Sequence, residues 1–475
     1  MLKQILLKNF KSYQDQVLAL APLTLMIGAN ASGKSNAIEA FRFLSWLAKG
    51  QKLSILQNVI NDSDKILRGR VSDLGYQKSD QFTVGCVIDD VSEWNKLEVV
   101  LEARNEDPSL AVNNELHIIQ EQLISNKSKP PLYKIKEKSS GLQTDIQVEY
   151  YDFSPDTSNP EISCTDQMAI MCQLNSQATF SKDHPDSQIK IPQAISHFQE
   201  SLNHTLFLDP IPSLMRDDSL PSSKLKNNCS NLAGVLYYLW DDIGGSTVGK
   251  STEDLTREIK AKSVGDFFTE RTGLIAYQQA AILRFIQSLP EQEIIDLKFY
   301  KDERRGLVTL ELIESFGGKE RACPIELLSD GTLRVLAIAA AILSAPKGST
   351  VVIEEVDNGI HPSRAKHLLQ TMYKEARQRN INLLLSTHNP ALMDALPDET
   401  LGDVVFCYRD PQKGDSRLTR LSDLDNYAGL IMQSSLGDLV TRGIVDRYVK
   451  NPVTSEERKQ SALQWLETMN GDQDE

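Results

Sequence analysis

Apolar positions change period along the chain, and each change marks an element. Residues 5–10 read as a short strand, and Leu23–Ile27 is a wholly apolar run of strand length. Over residues 36–47, Ala37, Ala40, Phe41, Leu44 and Leu47 fall on one helical face. Two strand-like runs follow at 82–88 and 97–102. Residues 105–190 are polar and uneven, with Pro130-Pro131 and Ser/Asp/Pro-rich pieces near 154–160 and 181–187. They predict an antiparallel lobe with long loops. From 195 to 289 the pattern turns mostly helical, broken by a loop at 209–228. The chain then alternates: strand 308–313, apolar helix 333–343, buried strand 350–354, helix 367–379, strand 381–386. Alternation of this kind predicts a parallel sheet. Neither an internal repeat nor a sustained heptad pattern is present, which argues against a long coiled coil. The acidic end, 471–475, is expected to fray.

Composition narrows the class without naming it. The 475 residues carry 51 Lys plus Arg and 65 Asp plus Glu, a formal charge of −14, with 40% hydrophobic and 24% charged residues. These are ordinary values for a globular protein and exclude a disordered chain. The length allows roughly two or three domain-sized cores, or one core with a large insertion. Six cysteines, at 86, 164, 172, 229, 323 and 407, form no CxxC, and the seven histidines form no HExxH pair. Neither a zinc ribbon nor a disulfide framework is indicated, and a reducing, cytoplasmic setting is expected. Residues 1–10 lack the long apolar run of a signal peptide, and the apolar stretch 335–343 is far short of a membrane span, so no membrane partner is expected. The net negative charge argues against a general DNA-coating protein and leaves room for a local basic groove.

The chemistry lies in short motifs. Gly28-Ala-Asn-Ala-Ser-Gly33-Lys34-Ser35 matches GxxxxGK[ST], after an apolar strand and opening a helix. Backbone N–H groups and a helix N-terminus would then face phosphates. Asn30, Ser32, Gly33, Lys34, Ser35 and Asn36 are the nucleotide-binding candidates, with Lys34 reaching the β/γ-phosphates and Ser35 holding Mg²⁺. A second formal match, residues 244–251, is a decoy: the residues before it have helical spacing, Asp241 and Asp242 would set negative charge beside a phosphate, and the residues after it are polar. Residues 350–355 end an apolar strand in Glu354 and Glu355, a Walker B candidate. Glu354 would hold the Mg²⁺ shell and Glu355 would polarise the attacking water. Residues 328–332, Leu-Ser-Asp-Gly-Thr, open an apolar helix. Ser329 or Asp330 could simply cap it, but its place ahead of the Walker B strand favours a phosphate contact. His388 ends a further strand and can report a γ-phosphate.

Taken in order, GxxxxGKS, LSDGT, the acidic pair, Asp357-Asn-Gly-Ile-His-Pro362 and Ser386-Thr-His388 resemble the ABC-type ATPase heads of the SMC/RecF class. They are closer still to the OLD-like "AAA family ATPase" proteins common in bacterial phage-defence operons. Residues 7–12, Leu-Lys-Asn-Phe-Lys-Ser, and 435–439, Ser-Leu-Gly-Asp-Leu, are similar to that group too. The resemblance covers residues 1–50 and 320–445. It implies an α/β fold: an ABC-type P-loop NTPase head, a parallel core sheet plus antiparallel lobe, split by a long, mostly helical insertion. The expected division is 1–105, N-terminal part of the head; 106–300, insertion with antiparallel lobe and helical arm; 301–450, C-terminal part of the head with signature, Walker B and His switch; and 451–475, tail. It also implies two heads paired head to tail with ATP between them, Ser329 and Gly331 touching the γ-phosphate in trans, Asp357 communicating across the dimer, and residues 9–12 near the nucleotide. Gln81 is a Q-loop candidate on position alone.

This sequence departs from the pattern at Glu354, where many ABC proteins have Asp, and at Asp330, where many have Gly. A carboxylate at 330 is expected to face a cation or the partner subunit. OLD nucleases carry a TOPRIM domain, and about thirty residues after the head are too few for one. A nuclease or toxin is therefore expected on a separate effector chain, as in Septu- and PARIS-like systems, by analogy. Lys127, Lys129, Lys134, Lys136 and Lys138 could meet a DNA backbone or form a solvated strand face. The helices from 195 to 289 read as a short arm or an oligomer interface. The expected function is an ATP-hydrolysing, head-to-tail dimer with ATP and Mg²⁺ as cofactors, serving antiviral defence. The alternatives are an ATP-gated scaffold holding a toxin or nuclease, an SMC/RecF-like DNA-repair ATPase and, more weakly, a small-molecule kinase.

Overall fold

The computed structural model describes residues 1–56, 60, 66–89, 93–105, 114–127, 129–141, 143–153, 159–241, 276–287, 294–425 and 427–450. The second glycine–lysine match at 244–251, the middle of the expected helical arm and the tail from 451 lie outside them.

Six strands make the central sheet, in the order β10 (Leu206–Leu208), β14 (Thr350–Ile353), β15 (Asn382–Ser386), β3 (Leu23–Ile27), β16 (Val405–Arg409) and β17 (Ser416–Arg420). The first five run parallel and β17 turns back on β16. β3, β14 and β15 are buried at every position, as strands covered on both faces must be. Their alternation sorts residues between two cores. Met26, Val352 and Leu384 join the core that holds α1 (Lys34–Ala48). Leu23, Leu25, Ile27, Val351, Ile353, Leu383 and Leu385 join the other, with α4 (Asp330–Ser344).

A second sheet has eight antiparallel strands, ordered β2 (Tyr13–Ala19), β1 (Leu2–Phe10), β4 (Gln81–Ile88), β5 (Trp94–Asn105), β6 (Asn114–Ser125), β7 (Tyr133–Glu137), β8 (Asp145–Tyr150) and β9 (Glu161–Thr165). β5 and β6 pair from Trp94↔Ser125 to Asn105↔Asn114, so the division expected at 105/106 falls inside one hairpin and the lobe continues the N-terminal sheet. A third sheet joins β11 (Ile294–Lys301), β12 (Val308–Phe316) and β13 (Lys319–Pro324). The chain is thus an α/β P-loop NTPase head with a parallel core sheet and an antiparallel lobe.

Two elements differ from the sequence pattern. α2 (Pro185–Asn203) starts in the stretch expected to be lobe loops, with Pro185 in its first turn, where a proline lacks nothing a helix needs. β10 lies where helix was expected. Its Leu-Phe-Leu is too short to show a period, and pairing decides it: Phe207 lies opposite Val352 and Leu208 opposite Ile353. At the far end of the insertion, the helix at 276–286 is tied to α5 (Pro362–Arg379): Arg284 Nη2 lies 2.8 Å from Glu375 Oε1.

The lysine run is largely paired. Lys129 meets Glu93 at 2.9 Å, Lys134 meets Glu149 at 3.7 Å, and Lys136 meets Glu161. These are exposed pairs, screened by solvent and of little weight, and they describe a solvated strand face.

Glu121 of β6 is fully buried. It accepts from Ile170 N and Met171 N, both at 2.7 Å, and from Tyr133 Oη at 2.8 Å. It thereby holds the short helix Ile170–Gln173 to the lobe. Burial pushes its carboxyl from 4.5 up to about 7, against the three donors. A folded value above the unfolded one contributes stability that is complete below pH 4.5 and lost as pH rises through about 7. Wild-type stability is expected to fall by on the order of 3 kcal/mol between about pH 5 and 8 from this group, and E121Q to lack that slope. Denaturant unfolding of both proteins across this window checks it; parallel curves count against the assignment.

Candidate nucleotide-binding site at the ends of the parallel strands

β3, β14 and β15 end on the same side of the sheet, where ligands meet strand C-termini. β3 runs into the loop 28–33 and then into α1. The loop turns through backbone that side chains avoid: Gly28 has φ 143°, Ala31 φ 61° and Gly33 φ 119°. A Cβ on Gly28 would stand 2.1 Å from the Cys407 carbonyl oxygen, and one on Gly33 2.4 Å from Ser416 Oγ. The loop is therefore pressed onto β16 and β17. Ser416 Oγ donates to Ser32 O at 2.6 Å, Arg409 Nε to Ala31 O at 3.1 Å, and Tyr13 Oη to Gly33 O at 2.9 Å. Asn36 Nδ2 donates to Ser12 Oγ at 2.8 Å, and Asn30 is exposed on the loop.

Lys34 Nζ reaches back to Gly28 O at 2.6 Å and Ala29 O at 3.1 Å. Burial lowers its pKa, against the pull of Cys407 and Glu355. α1 opens on Gly33 without a side-chain cap, whereas α4 is capped by Ser329 and α5 by His361. The first amides of α1 are those a phosphate would take. Ser32, 4% exposed, has a hydroxyl without a hydrogen-bond partner among the described residues. An uncapped helix end and an orphaned hydroxyl in one cradle fit an anionic ligand.

Glu354 follows β14 directly and lines one cleft with Ser35. Burial pushes this carboxyl up, with Arg42 and Ser35 drawing it back. Glu355 has φ 48°; its N–H donates to Ser386 Oγ at 3.1 Å, and Asn358 Nδ2 donates to Oε2 at 2.8 Å. Ser35, Arg42, Arg68, Asp209, Glu354 and Glu355 line one cleft of about 330 Å³. Among the described residues no group of three or more His, Cys, Asp or Glu is placed to hold a metal. Ser35 and Glu354 would therefore hold a cation only together with ligand oxygens. Hard oxygen donors sharing a cation with phosphate suit Mg²⁺, so the donor set fits.

The signature and switch residues stand outside that cleft. Ser329 Oγ accepts from Thr332 N at 3.1 Å, a helix cap. Asp330 faces Arg216 of the same chain, Nη2 to Oδ1 2.7 Å. Gly331 is backed by Gly359, whose carbonyl oxygen a Cβ would meet at 2.3 Å. Asp357 Oδ1 accepts from Thr387 Oγ1 at 2.5 Å, and His388 is exposed beside Thr387. Gln81 is corrected: it starts β4 and donates to Glu102 at 2.7 Å, away from the cleft. The strand flanking the Walker B strand is β10, and its end delivers Asp209 instead. Arg42, Arg68, Asp209 and Arg334 were not singled out from the sequence. Arg42 alone had a local signal, two helical turns after Ser35 on the same face.

Two family models match the chain: "AAA domain" over residues 4–205, and "AAA domain, putative AbiEii toxin, Type IV TA system" over residues 230–394. The DNA replication and repair protein RecF of Lactococcus lactis subsp. cremoris, in strains MG1363 and SK11, is 51% identical over 45 residues. That stretch is 9% of this chain and 12% of the RecF chain, so the match spans a small part of those relatives. Among solved structures, the Smc head bound to the C-winged helix domain of ScpA covers 88% of this chain and 97% of its own at 12% identity and TM-score 0.45. The SMC head domain from Thermotoga maritima covers 88% and 98% at 12% identity and TM-score 0.36. Likeness at that level leaves the fold resting on the strand order itself. Each domain model matches less than half of the chain; together with the strand-end site they mark a chain similar to AAA-type P-loop domains.

Gly28→Ala is expected to destabilise the protein by roughly 2–5 kcal/mol, because the methyl meets backbone at a left-handed φ. A shift of the denaturant midpoint measures it; an unshifted midpoint would show that β16 can yield.

Proposed function

We propose that this chain binds and hydrolyses ATP with Mg²⁺ as an ABC-type head that pairs head to tail with a second copy. We further propose that it serves as the sensor or regulatory ATPase of an antiviral defence system, acting with a separate effector protein. The observation that carries the ATPase reading is the convergence of Ser35, Glu354 and Glu355 on one cleft beside the glycine loop. In this reading the loop amides, Asn30, Ser32, Gly33, Lys34 and Asn36 bind and orient the triphosphate. Ser35 and Glu354 hold Mg²⁺, which neutralises phosphate charge when bound. Glu355 takes the proton of the attacking water at its carboxylate, which Asn358 orients, while Ser386 holds its backbone N–H. His388 meets the γ-phosphate from the end of β15.

Ser329, Gly331 and Asp357 act on the other copy's nucleotide. What supports this is the exposed turn that carries them: Gly331 packs against Gly359, two residues after Asp357, and Leu327 beside Ser329 is an apolar side chain 70% exposed. The defence role draws on the toxin–antitoxin description of the family matching 230–394. The stretch shared with RecF supports a DNA-repair ATPase as the second reading.

Glu355→Gln is expected to lower turnover by roughly a hundredfold or more while ATP stays bound and a dimer accumulates. Lys34→Ala is expected to lose ATP binding itself. Phosphate release, nucleotide binding and size-exclusion chromatography with light scattering read the three effects. Wild-type turnover in Glu355→Gln would remove the assigned base, and intact binding in Lys34→Ala would remove the phosphate loop.

A further inference from the structure

The motifs leave the arginines of the cleft unexplained, and one of them is tightly constrained. Arg42 projects from α1 two turns beyond Ser35, on the same face. Its side chain is 10% exposed, and its Nη2 lies 3.4 Å from Glu354 Oε1. The guanidinium carbon stands 5.1 Å from the centre of the Phe207 ring, a cation–π distance. Phe207 is itself buried on β10 and meets Phe41 of α1 edge-on at 5.3 Å. The strand pairing that sets Phe207 opposite Val352 therefore fixes the platform in register with the strand that delivers Glu354.

Two neighbouring cations have a carboxylate partner of their own. Lys11 and Arg68 both pair with the buried carboxylate of Glu39. Among the described residues, the ion pair to Glu354 comes from Arg42. Ser35 lines the same cleft beside that carboxylate. A planar guanidinium held by stacking loses little freedom on binding a carboxylate, and it defines the plane of its partner.

We propose that Arg42, seated on Phe207, is a positioning residue that presets the Glu354 carboxylate for the divalent cation accompanying ATP. This rests on reading Ser35 and Glu354 as the Mg²⁺ pair, as above. Without the guanidinium, a carboxylate in a mostly buried cleft loses both its counter-charge and its fixed rotamer. Partners that orient a metal ligand in this way affect metal affinity more than they affect the rest of the site.

The test uses the full chain, a fluorescent ATP analogue and Mg²⁺ titrated from zero at constant pH. Arg42→Met is expected to bind the analogue without metal as wild type does, because Lys34 and the loop are untouched. The Mg²⁺ concentration that half-completes the tightening should rise roughly ten- to a hundredfold. Arg42→Lys, which keeps charge without the planar fork, and Phe207→Leu, which removes the platform, should shift it the same way by less. An unchanged Mg²⁺ midpoint in Arg42→Met overturns the assignment. So does a shared loss of metal-free binding in all three variants, which would make Arg42 a support for α1 alone. If wild type shows no tightening by Mg²⁺, the Mg²⁺ site itself is wrong and this inference falls with it; a wild-type response with unshifted variants sinks the role of Arg42 alone.

Discussion

Backbone at positions 28 to 33 is held from behind by a strand that joins the sheet 375 positions later, where Cys407 Sγ meets Ser32 O. That contact constrains everything in front of it. The Cys407 carbonyl and the Ser416 side chain occupy the space where a Cβ at 28 or 33 would stand, so the loop can approach β16 only as glycine. Once approached, its carbonyls are taken by Ser416, Arg409 and Tyr13. The cradle is therefore shaped before any ligand arrives, and a ligand need not be charged with the ordering of six flexible residues.

The same side of the sheet solves a charge problem. A chain of net charge −14 must hold a polyanion next to Glu354 and Glu355. Long-range repulsion is screened beyond about 8 Å at physiological salt, so the local census decides. In the cleft, Glu39, Asp209, Glu354 and Glu355 are set against Arg42, Arg68 and Arg334. Lys11, tied to Glu39 from the turn between β1 and β2, brings the two signs level. The acidic pair is thus surrounded by cations drawn from α1, from the segment after it and from α4.

The signature turn is rigid at its back and open at its front. Gly359 packs against Gly331, Arg216 holds both the Leu328 carbonyl and the Asp330 carboxylate, and Leu327 projects into solvent. Ser329 spends its hydroxyl on the cap of α4. A cap and a phosphate contact are compatible, since one hydroxyl offers a donor and two acceptor lone pairs.

Local order was legible where the chemistry is local. The loop, the helix it opens and the strand ending in Glu354 each declare themselves within a dozen residues, through glycine spacing, a helical face and an unbroken apolar run. Conformational and solvation preferences of that range depend on neighbours in the chain, so the sequence alone determined them. Pairing across the chain was not legible. β10 is three residues with no period, and only the hydrogen bonds offered by β14 make it a strand; with it came Asp209 and the Phe207 platform under Arg42. Gln81 went astray for the same reason, since order along the chain says nothing of which strand lies beside β14. Partners of buried charges, such as Arg42 for Glu354 and Arg216 for Asp330, follow from which elements meet, and that was settled by the tertiary structure because burial makes each charge depend on whichever side chain the fold brings within reach.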